Sequence, residues 1–237
     1  MIDALTAAAG SMANDIARLS TISQNLMNAS TPAYKREMLV GQPFQRAMER
    51  AGLEDGVAAP STAIDLRLGT LRFTGNPLDL ALDGDGFFEV QTENGTAYTR
   101  QGDFRVDANG QLVTQAGQVV QGLGGALQLP NANPTVDRDG RVLDGDKLLG
   151  QLKVVRFTNP SQMTRIGGGL FQTAEAPTVP ADGTVRLRQS HLEASNVNTA
   201  SEMVKLVETM RHFEATQKVV QGVDEMMERA LRKLGEF

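Results

Sequence analysis

The chain has no cysteine and no tryptophan, and it has only two histidines in 237 residues. Without cysteine the protein can form no disulfide, no thiolate metal site and no cysteine nucleophile. Aromatic residues make up only 5% of the sequence, so the chain lacks the stacking platforms that bind single-stranded nucleic acid. A disulfide-stabilised fold and thiol chemistry are therefore excluded.

Blocks of one charge sign and long apolar runs are also missing. The net charge is −5, and no basic cluster of the kind that phosphate binding requires is present, so we predict no nucleic-acid partner. No run approaches the ~18 apolar residues of a membrane-spanning helix. Asp3, Asn14 and Asp15 interrupt the apolar residues near the N-terminus, unlike in a cleavable signal peptide. We therefore expect neither a membrane span nor a cleaved signal.

Three features could suggest a catalytic or binding site, and none has the pattern that such a site needs. The acidic turn at 83–86 lacks the distal bidentate glutamate of an EF-hand loop. The glycine run at 167–169 is not followed by the lysine and hydroxyl residue of a phosphate loop. His191 and His212 belong to no motif with a nucleophile. We predict no catalytic, cofactor-binding or metal-binding residue, and no enzyme activity.

Helical periodicity is strongest at the two ends of the chain. The first helix is predicted from residue 2 to 26 or 27, because the residue before Pro32 avoids helical geometry. The second is predicted in the stretch from Ser195 to the C-terminus, capped by Thr199 or Ser201, with Glu202 in its first turn. Apolar residues on both helices recur at steps of three and four residues, which is typical of a narrow helix-packing seam.

A seam of this kind needs a partner helix, so the two ends are predicted to pair with each other or with copies of themselves. The predicted seam and polymer contacts are Leu5, Met12, Ile16, Leu19 and Leu26 at the front and Met203, Leu206, Met210, Phe213 and Val220 at the back. The alternative is that the seam is only an intramolecular core, and that assembly contacts lie on charged faces.

Between the helices the hydrophobic period changes to two, which predicts short strands and hairpins. The predicted strands lie at 65–71, 78–82, 87–91, 97–99, 104–106, 112–114, 119–121, 151–157 and 184–188. The polar segment before them is predicted to be a connector with one short helix at 44–50. The predicted fold class is α+β, with a front helix in 1–35, a connector at 36–63, a central β-rich domain at 64–192 and a back helix in 193–237.

Motifs of a known family stand in order along this framework. They are NLMNASTPAYK at 25–35, GNPLDLAL at 75–82, GDGFF at 84–88, YTR at 98–100, GDF at 102–104, DANGQLV at 107–113 and LEASNVN at 192–198. Together they resemble the signature segments of the bacterial flagellar rod and hook subunits, except that Ala33 stands where the family usually has glycine. The motif residues that this resemblance marks are Asn28, Thr31, Pro32, Tyr34, Lys35, Asn76, Pro77, Leu78, Gly86, Phe87, Asn196, Val197 and Asn198.

The resemblance implies a fold in which the terminal helices form an inner coiled-coil domain and the β-rich middle lies outside it. It also implies a structural subunit of the periplasmic rod, which transmits motor torque to the hook. The implied partners are copies of the chain, other rod and hook-basal body subunits, and the flagellar type III export apparatus. The connector is expected to be mobile in the free subunit.

Within the family, the length excludes a typical hook subunit, which carries a further large domain. The segments RHFE at 211–214 and GQLKVV at 150–155 resemble the proximal rod branch most and the distal rod branch next. The alternative function is a soluble periplasmic binding or scaffold module that uses the β-domain and stays monomeric. An enzyme acting on peptidoglycan ranks last, because nearly all acidic residues stand in turn sequences.

Overall fold

The computed structural model describes residues 2–40, 61–131, 133–174, 177 and 185–235. The chain divides into two compact units, which are treated separately below. The helical unit comprises Met1–Met27, Glu37–Asp65 and Val197–Phe237. The β unit comprises Asn28–Arg36 and Leu66–Asn196. Each unit is therefore built from segments that are separated along the chain.

The helical unit consists of two long helices and a small antiparallel sheet. Helix α1 spans Ile2–Met27 and helix α2 spans Thr199–Gly235. Strand β1, Glu37–Val40, pairs with strand β2, Ser61–Ile64, and β1 contacts α1. The predicted end of the first helix is confirmed. None of the described helices is both long and apolar enough to cross a bilayer.

The second helix begins at Thr199, four residues after the start of the predicted stretch at Ser195, and its cap is not one of the predicted residues. The side-chain oxygen of Asn198 accepts a hydrogen bond from the backbone N–H of Ser201 at 3.0 Å, which is the geometry of an N-cap. The predicted caps, Thr199 and Ser201, are therefore wrong. Glu202 lies in the first turn, as predicted.

The β unit contains short strands joined mainly by tight turns. In chain order they are β3 Leu71–Phe73, β4 Leu80–Asp83, β5 Phe87–Thr92, β6 Gly95–Thr99, β7 Arg105–Val106, β8 Leu112–Val113, β9 Val119–Gly122, β10 Gly125–Ala126, β11 Thr135–Val136, β12 Arg141–Asp144, β13 Lys147–Gln151, β14 Val154–Val155, β15 Thr164–Gly167, β16 Leu170–Gln172, β17 Arg186–Gln189 and β18 His191–Glu193.

The strands described in the β unit pair in antiparallel fashion. The largest sheet has the order β15-β16-β6-β5-β9-β8-β7, with β10 added beside β9 and β14 beside β5. A three-stranded sheet, β11-β12-β13, and the pairs β17-β4 and β18-β3 complete the unit. The core is apolar and includes Phe88, Val90 and Val120, which have no exposed surface.

Several strand predictions need correction. Residues 65–70 form no strand, and only Leu71 of the predicted run 65–71 lies in one. The predicted strand at 151–157 is divided between the end of β13 and β14. Strands β1 and β2 lie in the region predicted to be a plain connector. The predicted short helix at 44–50 and most of the predicted mobile connector fall outside the described residues.

Candidate functional site

Hydrogen bonds between side chains join α1 to α2. Asp15 Oδ2 lies 2.5 Å from His212 Nδ1, and Asn25 Nδ2 donates to Glu202 Oε2 at 3.3 Å. The later residue of α1 meets the earlier residue of α2, so the helices run antiparallel. Asp15, Asn25 and Glu202 are all buried, which makes the contact between the helices partly polar.

Buried and half-buried positions follow steps of three and four residues along both helices, as expected where helices pack along a seam. We call these positions the inner stripe. Its members are Leu5, Ala8, Met12, Asp15, Leu19, Ile22 and Leu26 on α1 and Glu202, Leu206, Thr209, Phe213, Thr216, Val220 and Val223 on α2.

The structure divides the predicted seam residues into two groups. The residues that lie on the inner stripe are Leu5, Met12, Leu19, Leu26, Leu206, Phe213 and Val220. Ile16, Met203 and Met210 lie outside it, with exposed fractions of 57%, 58% and 48%. The buried residue in each case is the polar one immediately before it in the sequence. These three polar residues are Asp15, Glu202 and Thr209.

Asn25 connects three elements of the helical unit. Its side-chain oxygen accepts from the backbone N–H of Glu37 at 2.9 Å, and its amide nitrogen donates to the Glu37 carbonyl at 2.8 Å. The same amide reaches Glu202, whose other carboxylate oxygen lies 2.9 Å from Lys205 Nζ. Asn25 has no exposed surface, so these bonds replace the water that its amide would otherwise bind.

A buried ion cluster lies in the β unit. Lys35 Nζ is 2.5 Å from Glu193 Oε1, and Arg100 Nε is 2.8 Å from Glu193 Oε2. The three side chains are at most 2% exposed. The backbone N–H of Gly69 also donates to Glu193 Oε1, at 2.8 Å. One carboxylate therefore balances two buried cations, and it does so through hydrogen bonds of good length.

Backbone carbonyls hold the remaining donors of this cluster. Lys35 Nζ donates to the carbonyl of Arg67 at 2.8 Å. The Arg100 guanidinium donates to Gly86 at 2.6 Å and to Leu82 and Gly84 at 3.1 to 3.2 Å. A buried charge with unsatisfied donors would be costly, so this coordination is what allows the cations to lie in the interior.

The cluster sets the charge state of Glu193. Burial alone would raise the pKa of Glu193, but the nearby charges of Arg100 and Lys35 oppose it. Hydrogen bonds from Lys35 and from the Gly69 backbone act in the same direction as these charges. The net result is a pKa below the ordinary glutamate value, so the carboxylate is ionised at neutral pH.

The family-motif segments at the two chain ends meet beside this cluster. The Ala33 N–H donates to the Glu193 carbonyl at 2.7 Å, and the Asn196 N–H donates to the Tyr34 carbonyl at 3.2 Å. The side-chain oxygen of Asn196 accepts from the backbone N–H of Arg36 at 2.7 Å. Ala33 has a positive φ of 53°, so the turn adopts the left-handed geometry that glycine usually provides.

The other motif residues have local structural roles. The Thr31 N–H donates to the Asn28 carbonyl, next to Pro32. Asn76 Oδ1 accepts from the backbone N–H of Leu78 at 3.2 Å.

The carbonyl of Pro77 accepts from Gln189, and that of Gly86 accepts from Arg100. Phe87 packs edge to face against Phe157 and Phe171. Val197 is half-buried just before the Asn198 cap of α2.

Sequence reasoning missed Arg100 and Glu193 as a pair and missed Asp15, Asn25 and Glu202 as buried residues. One signal was available, since Arg100 and Glu193 both stand inside quoted motifs, and Glu193 lies between the apolar residues Leu192 and Ala194. Among the residues that the structure describes, no cluster of three or more His, Asp or Glu is arranged to hold a metal ion.

Two family models match the chain. One is described as the flagellar hook protein FlgE/F/G D1 domain and matches residues 81–144. The other is described as the flagellar basal body rod FlgEFG protein C-terminal region and matches residues 188–233. The first match includes Arg100, and the second includes Glu193 and the inner stripe of α2.

Individual relatives match over nearly their whole length. The rod protein FlgG of Buchnera aphidicola from Schizaphis graminum is 34% identical over 241 residues, which cover 89% of this chain and 92% of that protein. The chain belongs to the flagellar basal-body rod protein family. FlgF of Escherichia coli is 33% identical over 250 residues, covering 97% of both chains. FlgG of Bacillus subtilis is 30% identical over 261 residues, covering 96% of this chain and 97% of that protein.

Membership of the rod family confirms the resemblance noted in the motifs and identifies a structural protein rather than an enzyme. FlgF and FlgG relatives match at nearly equal identity. The expectation that the chain belongs to the proximal rod branch therefore stays a prediction.

Proposed function

We propose that the chain is a structural subunit of the bacterial flagellar basal-body rod. It polymerises through its terminal helices into the periplasmic shaft that transmits torque to the hook. The observation that carries this proposal is a helix pair, built from both chain ends, that leaves large apolar side chains exposed. Exposed apolar surface of this kind marks protein interaction sites. The similarity to rod proteins over nearly the whole chain supports the same role.

In this proposal α1 and α2 form an antiparallel coiled coil along the inner stripe. Leu206, Phe213 and Val220 supply the apolar layers of α2. The polar layers at Asp15 and Asn25 set the register, since a buried polar residue in a seam disfavours slipped alignments. A register fixed in each subunit gives every subunit the same outer surface, which a regular polymer requires.

The proposed partners are copies of the chain and other rod and hook-basal body subunits. The proposed route to the periplasm is the flagellar type III export apparatus, without a cleaved signal peptide. The helical unit then acts as the assembly domain of the subunit. The β unit, with its complete apolar core, acts as the rigid body that the polymer carries.

Substitution of Leu206 tests this role. A strain lacking the gene is complemented with the wild type, with Leu206→Asp or with Leu206→Met, and swimming and the protein content of purified hook-basal bodies are measured. Leu206→Asp places a charge in the inner stripe, so we expect loss of motility and loss of the protein from the basal body. Leu206→Met conserves volume and polarity and is expected to behave like the wild type.

A protease-resistant β unit in the Leu206→Asp protein separates failed assembly from failed folding. Normal swimming with Leu206→Asp would refute the assembly role of the helices. Normal swimming of the deletion strain, together with absence of the wild-type protein from the basal bodies of the complemented strain, would favour the soluble periplasmic binding or scaffold module.

A further inference from the structure

The methionines of the two units differ in their access to solvent. Met163, the methionine of the β unit, is only 4% exposed. Five of the described methionines of the helical unit are at least 40% exposed, and these are Met27 on α1 and Met203, Met210, Met226 and Met227 on α2. Their thioether groups are therefore open to water on the helices, whereas the thioether of the β unit is shielded.

The composition of the chain concentrates oxidation chemistry on these side chains. The sequence has no cysteine and no tryptophan, but it has ten methionines. Thiols, which peroxides attack when they are ionised and accessible, are absent here. A peroxide that reaches the folded chain therefore has thioether sulfur atoms as its main target, and it reaches the exposed ones before the buried one.

Met203 and Met210 share one face of α2. They are seven residues apart, which is close to two helical turns. Val207 lies between them on this face, four residues after Met203 and three before Met210, and half of its surface is exposed. The valine side chain contains no sulfur, so the two methionines decide whether this face stays apolar under oxidising conditions.

We propose that Met203 and Met210 are sites of oxidation to methionine sulfoxide by a peroxide, and that the oxidised subunit is not incorporated into the rod. One oxygen atom of the peroxide forms a bond to the thioether sulfur as the O–O bond breaks. The proton of the transferred oxygen passes to the leaving oxygen. With hydrogen peroxide the second product is water, so the sulfur is oxidised and the peroxide is reduced. The loss of incorporation rests on the proposed function.

Oxidation changes what this face of α2 can contact. The methionine thioether is flexible and apolar, whereas the sulfoxide is polar and chiral. Burying the sulfoxide oxygen against an apolar surface leaves a hydrogen-bond acceptor without a donor, which is unfavourable. Met203 and Met210 lie outside the inner stripe, so the sulfoxides leave the packing of α1 against α2 in place. Oxidation therefore acts on assembly and spares the fold of the subunit.

Mass spectrometry of the purified full chain tests the modification itself. The folded chain is treated with hydrogen peroxide, and the sulfoxide fraction of each methionine-containing peptide is followed over time. We expect Met203 and Met210 to be oxidised roughly tenfold faster than Met163, the buried internal control. The same treatment in urea is expected to remove this difference, because unfolding exposes Met163. Equal rates in the folded chain would overturn the proposal.

A competition within one strain tests the consequence for assembly. A strain lacking the gene expresses two differently tagged copies, the wild type and a double variant with Met203→Leu and Met210→Leu. Leucine conserves volume and apolar character but has no sulfur to oxidise. The ratio of the two tags is measured in basal bodies purified from cells grown with and without hydrogen peroxide. We expect peroxide to shift this ratio several-fold towards the double variant.

The matched control replaces two exposed methionines elsewhere on α2. A double variant with Met226→Leu and Met227→Leu competes with the wild type in the same way, and its ratio is expected to stay constant under peroxide. An equal shift in this control would overturn the assignment to Met203 and Met210.

A polar replacement tests the effect without any oxidant. Glutamine resembles methionine sulfoxide in length and carries an uncharged oxygen acceptor. A double variant with Met203→Gln and Met210→Gln is expected to lose incorporation into basal bodies while the monomer keeps its wild-type helix content by circular dichroism. Normal incorporation of this variant would overturn the proposed effect of oxidation.

The outcomes separate this inference from the function on which it rests. Basal bodies that contain both tagged copies at a ratio that peroxide does not change overturn the oxidation proposal and leave the rod function standing. Absence of both copies from basal bodies, with motility intact in the deletion strain, overturns the rod function and the proposed effect on assembly with it.

Discussion

The β unit and the helical unit bury different kinds of side chain. In the β unit, Phe88, Val90 and Val120 are completely removed from water within a continuous apolar core. Among the described side chains of the helical unit, Ile22 is the only buried apolar one. Full burial of a large apolar side chain stabilises a fold by roughly 1.5–3 kcal/mol. The β unit is therefore closed around its own core, whereas large apolar side chains of the helical unit, such as Met203 and Met210, stay exposed.

Buried polar groups sharpen this contrast. The ion cluster of the β unit is surrounded by hydrogen-bond partners on a rigid sheet framework. The polar groups of the helical unit, including Asp15 and Glu202, lie between two helices that are otherwise half-exposed. Removing an ionic partner is expected to destabilise the β unit strongly, while improving a helix is expected to stabilise the helical unit only slightly.

The largest expected effect comes from Glu193→Gln. Loss of the carboxylate leaves Lys35 and Arg100 as buried cations without their anion. Removing one partner of a buried ion pair lowers the free energy of unfolding by about 3–5 kcal/mol, so a loss of this size is expected. Urea unfolding of the purified chain, followed by a signal from the β unit, measures the change.

The matched control is Asp83→Asn, which breaks an exposed pair with Arg188. Surface pairs contribute about 0–1 kcal/mol, so the control is expected to stay near the wild type. A Glu193→Gln protein as stable as the Asp83→Asn protein would show that the cluster does not support the β unit.

A smaller effect is expected from acid. The pKa of Glu193 is lowered from its ordinary value of 4.5, so its contribution to stability is fully present above that pH. The contribution is lost as the pH falls through the lower folded-state pKa. Urea midpoints measured from pH 7 into the acid range should fall more steeply for the wild type than for Glu193→Gln.

Asp103 acts in the opposite direction and defines the control for this measurement. Burial, and to a lesser extent the charge of Asp79, raise the pKa of Asp103. Protonation of Asp103 therefore favours the folded state as the pH falls. Comparing the two Glu193 forms in an Asp103→Asn background removes this contribution. If the urea midpoints of the Glu193 and Glu193→Gln forms fell equally with pH in that background, the role assigned to Glu193 would be contradicted.

The smallest effect is expected in the helical unit from Gly222→Ala. A Cβ at Gly222 would meet no other atom within 4 Å, so the substitution fits without strain. Alanine is about 1 kcal/mol better than glycine in a helix interior. A gain of up to about that size is expected in thermal unfolding followed by the helical signal at 222 nm, with an unchanged β unit. A loss of stability would reveal a constraint on α2 that the isolated subunit does not explain.

The helices and their apolar period could be predicted from the sequence because both depend on local information. Pro32 fixes where α1 must stop, and the three-and-four spacing identifies Leu206, Phe213 and Val220 as inward. The polar members of the inner stripe, such as Glu202, could not be predicted correctly. From the sequence alone, the apolar residue Met203 fits a helix-packing seam better than Glu202 does. Glu202 can be buried there because the side chain of Asn25 donates a hydrogen bond to its carboxylate.

The ion cluster could not be predicted because its members are far apart along the chain. Lys35 and Glu193 are separated by 158 positions, and Arg100 and Glu193 by 93. No local pattern states which of the 23 lysines and arginines will be buried. Strand limits failed for a related reason, since pairing with a distant strand decides whether a short run such as 65–70 becomes a strand.

The distance between Lys35 and Glu193 also sets the order in which the molecule can fold. Lys35 is synthesised 158 residues before its anion, Glu193. Closing a loop of this length is slow because its entropy must be lost before any contact compensates for it. Until residue 193 is available, the nascent chain holds two cations that the finished β unit could not bury. A chain stopped before residue 193 therefore lacks the anion of this cluster, and the cluster can close only after that residue has been made.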